Sequence, residues 1–476
     1  MVKPHCNRTG ESSSSEPSEW GIPEPSAKFH RRSIAASQSS DDITMKTIPI
    51  LSAALVLLPS GLGLSAPDPA KTVTEEVKPA IPTEKSAPSK SDPAPAVTIA
   101  GLTADHDLAF TLALFRKTSA ELGPRELKTS VLCPGGIVRL LKALHAGSGG
   151  STQKQIAVTL KLDTKAAPAT PPTLPPVMKQ ATAAWADSAH TLKPAFTQLI
   201  KTALAAEAQS VPLQKDPEAA RKTINGWTAD HTGDNIKELL KPADMEGARL
   251  VLTDAAWFRD SWKSGFHAER SVTADFTLID GKKQPTRFVA DRRKALYART
   301  AAAEALVLPF ATERYQCVCL LPTMKPKESP AAALLRLEHD LGPKTLNELV
   351  TALHEEETDI QLPKLDLQNV EADIKPLLKS MGIKALFTNA ADLSPMCEGG
   401  ENLQVDAFKQ VAAFKLDEQG AEAAAATAAV IIAKSAIVRP KAQVFHADRP
   451  CLFLVRDTET GSVAFIVRCV VPQPAK

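Results

Sequence analysis

The stretch Asp417–Ser435, DEQGAEAAAATAAVIIAKS, can be read with two periods. In an extended chain successive side chains point to opposite faces. One face then carries Ala421, Ala423, Ala425, Thr427, Ala429, Ile431 and Ala433, and the other Glu422, Ala424, Ala426, Ala428, Val430, Ile432 and Lys434. The first face is small and uncharged, which suits a tightly packed sheet. Every charge falls on the second face or at the ends. Propensity alone gives a different answer, because Ala is the best helix former and Ala421–Ala436 would be helical on that ground. The surroundings decide between the two.

Glu418, Gly420, Ala421, Glu422, Ala423, Ala424, Ala425, Ala426 and Thr427 stand in an order that resembles the hinge of the serpin reactive-centre loop. The serpins are a family of serine-protease inhibitors. Downstream, Ala447–Pro472 resembles the family's closing hairpin, and upstream Leu250–Phe266 is similar to the strand that ends in its breach tryptophan, here Trp262. Ile224–Leu240, Thr191–Phe196 and Leu377–Phe387 are similar to further family stretches, in the same order and spacing. The resemblance spans almost all of residues 100–476. It implies an α+β fold with three β-sheets, surrounding helices and an exposed loop.

The rest of the chain is consistent with that class. Its 476 residues carry 56 Lys and Arg against 54 Asp and Glu, a net charge of +2, so there is no bulk electrostatic case for a nucleic-acid partner. Residues 1–44 are Ser-rich and read as a disordered or over-extended upstream segment. Residues 45–66 begin Met45-Lys46, continue through a short apolar run and end at Ser65-Ala66, as an export signal does. Two prolines and a marginal length argue against a membrane anchor, so a secreted or periplasmic protein without stable membrane insertion is expected. Residues 67–98 read as a Pro/Lys/Ala-rich linker and 99–476 as the folded domain. Within it, Asp105 is a candidate helix cap before Leu108, Leu112 and Phe115, with Gly123-Pro124 as the stop. Helices are also expected after Pro134, from Asp216-Pro217, and over Ile374–Met381 before Gly382. Gln316–Leu321 and Ala305–Pro309 read as strands. Helices and strands mix without regular alternation, as in α+β proteins.

Several positions depart from the family pattern. Thr129, Cys133 and Gly136 stand where the family has Asn and Ser around a turn, Asp254 replaces a central-strand Asn, and the family's shutter histidine falls on Gln410. The resemblance implies that Cys133, Asp254 and Gln410 lie in a polar cluster beneath the sheet, and a compensated network is expected there because buried polar groups need partners. Seven cysteines show no CxxC or metal-ligand spacing, and neither a metal nor a cofactor is expected. Cys317 and Cys319 would share one face of a strand. Cys451 and Cys469 flank a hairpin turning near Thr460 and are candidates for cross-strand neighbours, bonded or free.

Enzyme readings fail on chemistry. AGSGG around Ser148 lacks the first Gly and the preceding strand of a nucleophile elbow. HEEET at His354 reads as a solvated acidic turn, and HAGSGGST has no phosphate-loop Lys. Lys165–Pro176 is proline-broken and weakly basic, which speaks against a heparin-binding helix there. The resemblance therefore implies a monomeric inhibitor. A protease cleaves after the residue fourteen places beyond Gly420, the Lys434–Ser435 bond, and the cut loop enters the central sheet as a new strand. Lys434 implies a trypsin-like protease, with Arg439 as the alternative, although Pro440 disfavours cleavage after it. A non-inhibitory carrier or chaperone of the same fold is the competing reading.

Overall fold

Leu250–Phe258 is nine residues of LVLTDAAWF, buried along its whole length, and it forms the middle of the molecule. A run this apolar can be a strand only where both faces of its sheet are covered. The computed structural model describes residues 99–163, 174–400, 403–420 and 442–475. The expected upstream segment, export signal and linker, and the loop residues 421–441, lie outside the described residues.

In chain order, the helices are α1 (Ala104–Lys117), α2 (Pro134–Ala146), α3 (Gly150–Leu160), α4 (Pro194–Leu204), α5 (Pro217–Thr232), α6 (Pro330–Asp340), α7 (Pro343–Thr351) and α8 (Ile374–Ser380). The first strands are β1 (Ser130–Leu132), β2 (Met178–Asp187), β3 (Glu207–Val211), β4 (Leu250–Phe258), β5 (Val272–Thr277), β6 (Lys283–Arg299) and β7 (Ala303–Pro309). They are followed by β8 (Tyr315–Pro322), β9 (His354–Pro363), β10 (Leu365–Asp373), β11 (Ala407–Leu416), β12 (Gln443–His446), β13 (Cys451–Asp457) and β14 (Val463–Cys469).

Five strands form the central sheet in the order β10-β11-β4-β2-β3. β11 and β4 run parallel, whereas β10 is antiparallel to β11 and β2 is antiparallel to β4. The other nine described strands form one hydrogen-bonded network rather than two. The reason is β6, whose 17 residues pair with β5 at one end, β7 at the other and β9 between them. Three sheets were expected; here β6 belongs to two of them and joins them.

Phe258, Phe310, Phe414, Phe453 and Phe465 pack in one cluster between the sheets, while Leu112, Phe115, Leu140, Leu141 and Leu144 belong to a second with the helices. A third lies around α5, where Trp185 donates to Thr253 Oγ1 (2.7 Å) and meets Trp227 edge-on. The expected helices after Pro134 and from Asp216 are present, and Asp216 caps α5 by accepting from Ala219 N. Other expectations are corrected. Thr103, not Asp105, caps α1, and Asp105 lies in the first turn, where the helix dipole favours an anion. α1 also stops at Lys117, well before Gly123. HEEET is the start of β9 rather than a turn, because that strand pairs with basic β6: Glu357 stands opposite Lys294 and, just past the motif, Asp359 opposite Arg292. Among the described residues no helix is long and apolar enough to cross a membrane.

One buried ion pair ties the C-terminal hairpin to the helices. Arg468 on β14 grips Glu338 on α6 in bidentate fashion (2.6 and 2.7 Å), with the side chains 2% and 1% exposed. Thr118 and Ser130 accept from the same guanidinium, Ser119 donates to the carboxylate, and Phe115 lies 5.0 Å below the charge. Glu338→Ala strands the guanidinium in the core and is expected to reduce unfolding free energy by about 3–5 kcal/mol. Glu338→Leu combined with Arg468→Met should lose less than that single change in urea denaturation. A double variant as damaging as Glu338→Ala would contradict this account.

Candidate functional site

The chain leaves β11 at Leu416 and reverses over Asp417–Gly420. Asp417 N donates to Gly420 O (3.0 Å), and Asp417 Oδ1 accepts from Gln419 N, so a two-residue turn closes on itself. Gly420 pairs antiparallel with Asp417 on one side and with Ser261 on the other. It therefore sits between the extended lines of β11 and β4. Only glycine fits: φ is +130°, and a Cβ would lie 2.4 Å from Asp260 O and 2.7 Å from Trp262 N.

Trp262 lies beyond the end of β4, which stops at Phe258, and holds this turn from beneath. Its indole Nε1 donates to Asp417 O (3.0 Å), its backbone N donates to Gln419 O (2.8 Å), and its ring stacks on Phe310 at 4.8 Å. Phe266 N adds a bond to Glu418 O (2.7 Å). The Glu418 carboxylate turns back to Lys364 Nζ (2.5 Å) and accepts from Ser271 Oγ. Burial pushes its pKa up, but Lys364 and Ser271 more than offset this and hold it below the ordinary carboxylate value.

Lower in the sheet, β11 and β4 are joined by side chains. Gln410 and Asp254 are register partners, and Gln410 Nε2 donates to Asp254 Oδ2 (2.7 Å). The same amide clasps a backbone: Oε1 accepts from Cys133 N (2.9 Å), while Nε2 donates to Cys133 O (2.6 Å). Asp254, fully buried, also accepts from Thr182 Oγ1 (2.7 Å) and Gln180 Nε2 (3.1 Å). Arg139 Nη2 donates to Thr182 Oγ1 (2.6 Å), so the hydroxyl relays between guanidinium and carboxylate. Burial raises the pKa of Asp254, opposed by Arg139 and these hydrogen bonds; burial lowers that of Arg139, opposed by Asp254. Gly136 makes room for the carboxylate, since a Cβ there would fall 1.8 Å from Asp254 Oδ1.

Cys133, Asp254 and Gln410 are thus brought together, and Trp262, Glu418 and Gly420 form a second group at the head of the sheet. Thr129 is in neither; it accepts from Val470 N and Val471 N. Ala421, Glu422, Ala423, Ala424, Ala425, Ala426, Thr427, Lys434, Ser435 and Arg439 lie outside the described residues. Sequence reasoning missed Arg139, Gln180, Thr182, Lys364 and Ser271. The one available signal was Gln180 and Thr182, polar residues two apart in the alanine-rich part of β2 and so on one face.

The lowered pKa of Glu418 fixes a pH dependence. Its contribution is complete above the unfolded-state value of 4.5 and is lost as pH falls below that, through its lower folded-state value. Glu418→Gln is expected to destabilise the protein by about 1.5–3 kcal/mol at pH 7. The gap from wild type should shrink as the pH of thermal unfolding is taken down through 4.5; a gap that stays constant would refute the assignment.

Comparison with known proteins agrees with this geometry. The family model described as Serpin (serine protease inhibitor) matches residues 105–472. Glia-derived nexin from Homo sapiens is 28% identical over 353 residues, covering 71% of this chain and 86% of the relative. Alaserpin from Manduca sexta is 34% identical over 263 residues, 54% of this chain and 64% of its own. Among solved structures, native protease nexin-1 with heparin superposes with a TM-score of 0.67 at 25% identity, covering 78% of this chain and 99% of that one. The thermophilic serpin tengpin has a TM-score of 0.67, covers 77% and 94%, and at 19% identity shows the fold alone. With the family model spanning most of its length, the chain belongs to the serpin family and has its α+β fold.

Proposed function

We propose that this chain inhibits serine endopeptidases of trypsin-like specificity as a suicide substrate, after export through the segment beginning at Met45. The protease serine would attack the Lys434 carbonyl, and Ser435 would leave with the free amine while the acyl ester remains. The segment from Ala421 would then enter the sheet between β11 and β4 and carry the bound protease with it.

The observation that supports this reading is the double pairing of Gly420. Asp417 and Ser261 are 156 positions apart, and so are Gln410 and Asp254. An inserted strand that extended both pairings would therefore meet its two neighbours in one consistent register. Ala423 would stand between Phe414 and Phe258, each 1% exposed, and Ala425 between Ala412 and Ala256. Glu422 would meet Lys415 and Arg259 on the other face. Thr427 would arrive between Gln410 and Asp254, the two groups now bonded to each other. Its hydroxyl can accept from the amide and donate to the carboxylate, so the opened cluster would stay satisfied. The small face of the loop would thus match the apolar sites, and its one polar residue the polar site.

The inserted segment would also convert a parallel pair into two antiparallel ones. Antiparallel pairing is somewhat more stable per residue. About ten new hydrogen bonds at about 1 kcal/mol each would raise Tm by about 10–20 °C.

Incubation with trypsin followed by a denaturing gel tests the reading. A boiling-stable band at the summed mass of protease and large fragment is expected, with a released C-terminal peptide beginning at Ser435; cleavage without that band would overturn the inhibitory reading. Ala423→Arg, which would drive a guanidinium between two buried phenylalanines, should give cleaved product in place of the covalent band. Loop-cleaved protein should melt about 10–20 °C above the intact form, with a smaller gain for Thr427→Val. An unchanged Tm on cleavage would exclude insertion.

A further inference from the structure

Four thiols line one face of the strands that close the nine-stranded network. Cys317 and Cys319 on β8, Cys451 on β13 and Cys469 on β14 are all buried and all in the cluster between the sheets. They are not equivalent in reach. Cys317 and Cys319 lie two apart on one strand, with their Sγ atoms 3.7 Å apart. That spacing separates the Cα atoms by about 6.6–6.8 Å, the far limit of what a disulfide spans. Cys451 and Cys319 are diagonal neighbours, since Phe453 is the partner of Cys319. Diagonal positions are about 7–8 Å apart, outside the disulfide range. Cys451 and Cys469 are direct partners in the antiparallel register of β13 and β14, where Cα atoms are about 4.5 or 5.5 Å apart. Only this pair stands well inside the range.

We propose that Cys451 and Cys469 are an oxidation site and form a disulfide across the hairpin. The two thiols lose two protons and two electrons, one S–S bond forms, and a disulfide oxidant such as oxidised glutathione is reduced to two thiols. The reaction belongs to folding rather than to the finished protein. Burial pushes the Cys451 thiol well above its ordinary pKa, with Cys469 adding to the shift. Little thiolate then exists in the native state, and thiolate is the species that exchanges. Only 17 residues separate the two positions, so they meet early and locally, before the cluster between the sheets closes over them. Once closed and buried, the bond is out of reach of reductants. Its location gives it a defined task. β13 and β14 bring Phe453, Val455, Phe465 and Val467 into the core between the sheets, and the bond would hold these two strands in register. Under the proposed cleavage at Lys434–Ser435 both cysteines stay on the released C-terminal side, so a gel with and without reductant would look alike and peptide mapping is required.

The test is to refold the reduced, denatured full chain in a buffer of reduced and oxidised glutathione, alkylate it in denaturant without reductant, digest it and map the peptides. Two of the seven cysteines should be found as one cross-link joining Cys451 to Cys469, with five alkylated. Seven alkylated cysteines, or a link through Cys317, Cys319 or any other partner, would overturn the proposal. In parallel, wild type refolded with the oxidant should melt several degrees above wild type refolded in dithiothreitol. Cys451→Ala/Cys469→Ala should show no such difference. Should that variant fail to fold, Cys469→Ser alone serves, and its map must show no intramolecular link. An equal oxidant effect in either variant would place the bond elsewhere.

Discussion

The 2.7 Å hydrogen bond from Gln410 to Asp254 crosses the seam between β11 and β4, and the rest of the central sheet is arranged about that seam. Parallel neighbours cannot be joined by a tight turn. Here β11 and β4 lie side by side although more than 140 residues of chain, including β5 to β9 of the second sheet network, separate them. Their contact is lined by alanines on both faces, Ala256 and Ala412 on one and Ala255 and Ala413 on the other, which let the backbones approach but interlock little. The Gln410–Asp254 bond and the Gln410 clasp on Cys133 supply much of the specificity that small side chains cannot. Such a seam is well defined when closed, and opening it would exchange the parallel backbone ladder together with these side-chain bonds.

The head of the sheet obeys a different constraint. Trp262 holds the Asp417–Gly420 turn by its indole and by its backbone, and Glu418 is fixed by Lys364 and Ser271. These contacts end at Gly420, whose φ and crowding exclude any side chain. The chain is therefore held firmly up to the residue that already touches both strands. With the chain held at the head of the seam, a strand added here would be guided from the head downward.

Much of this was legible from residues alone. The order of the hinge residues pointed to the architecture through its resemblance to the serpins, and α2, α5, β7 and β8 follow from apolar spacing and capping. The identity of the polar cluster was legible only in part. Cys133, Asp254 and Gln410 are separated by more than a hundred residues each, and only the register of β11 with β4, and of β2 with β4, makes neighbours of Asp254, Gln410 and Thr182. Arg139 was hidden for another reason. It sits in the apolar run of α2 and is buried, where spacing alone predicts solvent exposure on the far face. The HEEET segment failed as a turn because acid density reads as exposure unless the basic partner strand is known, and β6 lies more than fifty residues away.

The members of the cluster also constrain one another. Cys133 contributes its backbone N–H and carbonyl to Gln410, while its side chain takes only a 3.4 Å contact from Gln180 Nε2. The identity of residue 133 is therefore weakly constrained by hydrogen bonding, whereas a long planar amide at 410 is strongly constrained, since it must reach a peptide group and a carboxylate at once. Asp254 can stand there only because Gly136 leaves its oxygens room. A carboxylate, unlike an amide, offers acceptors alone, and it therefore calls for the three donors it has: Gln410, Gln180 and Thr182. Removing any one of these would leave a charge buried with too few partners, which costs more than the single bond lost. Gly136, Asp254 and Gln410 thus depend on one another.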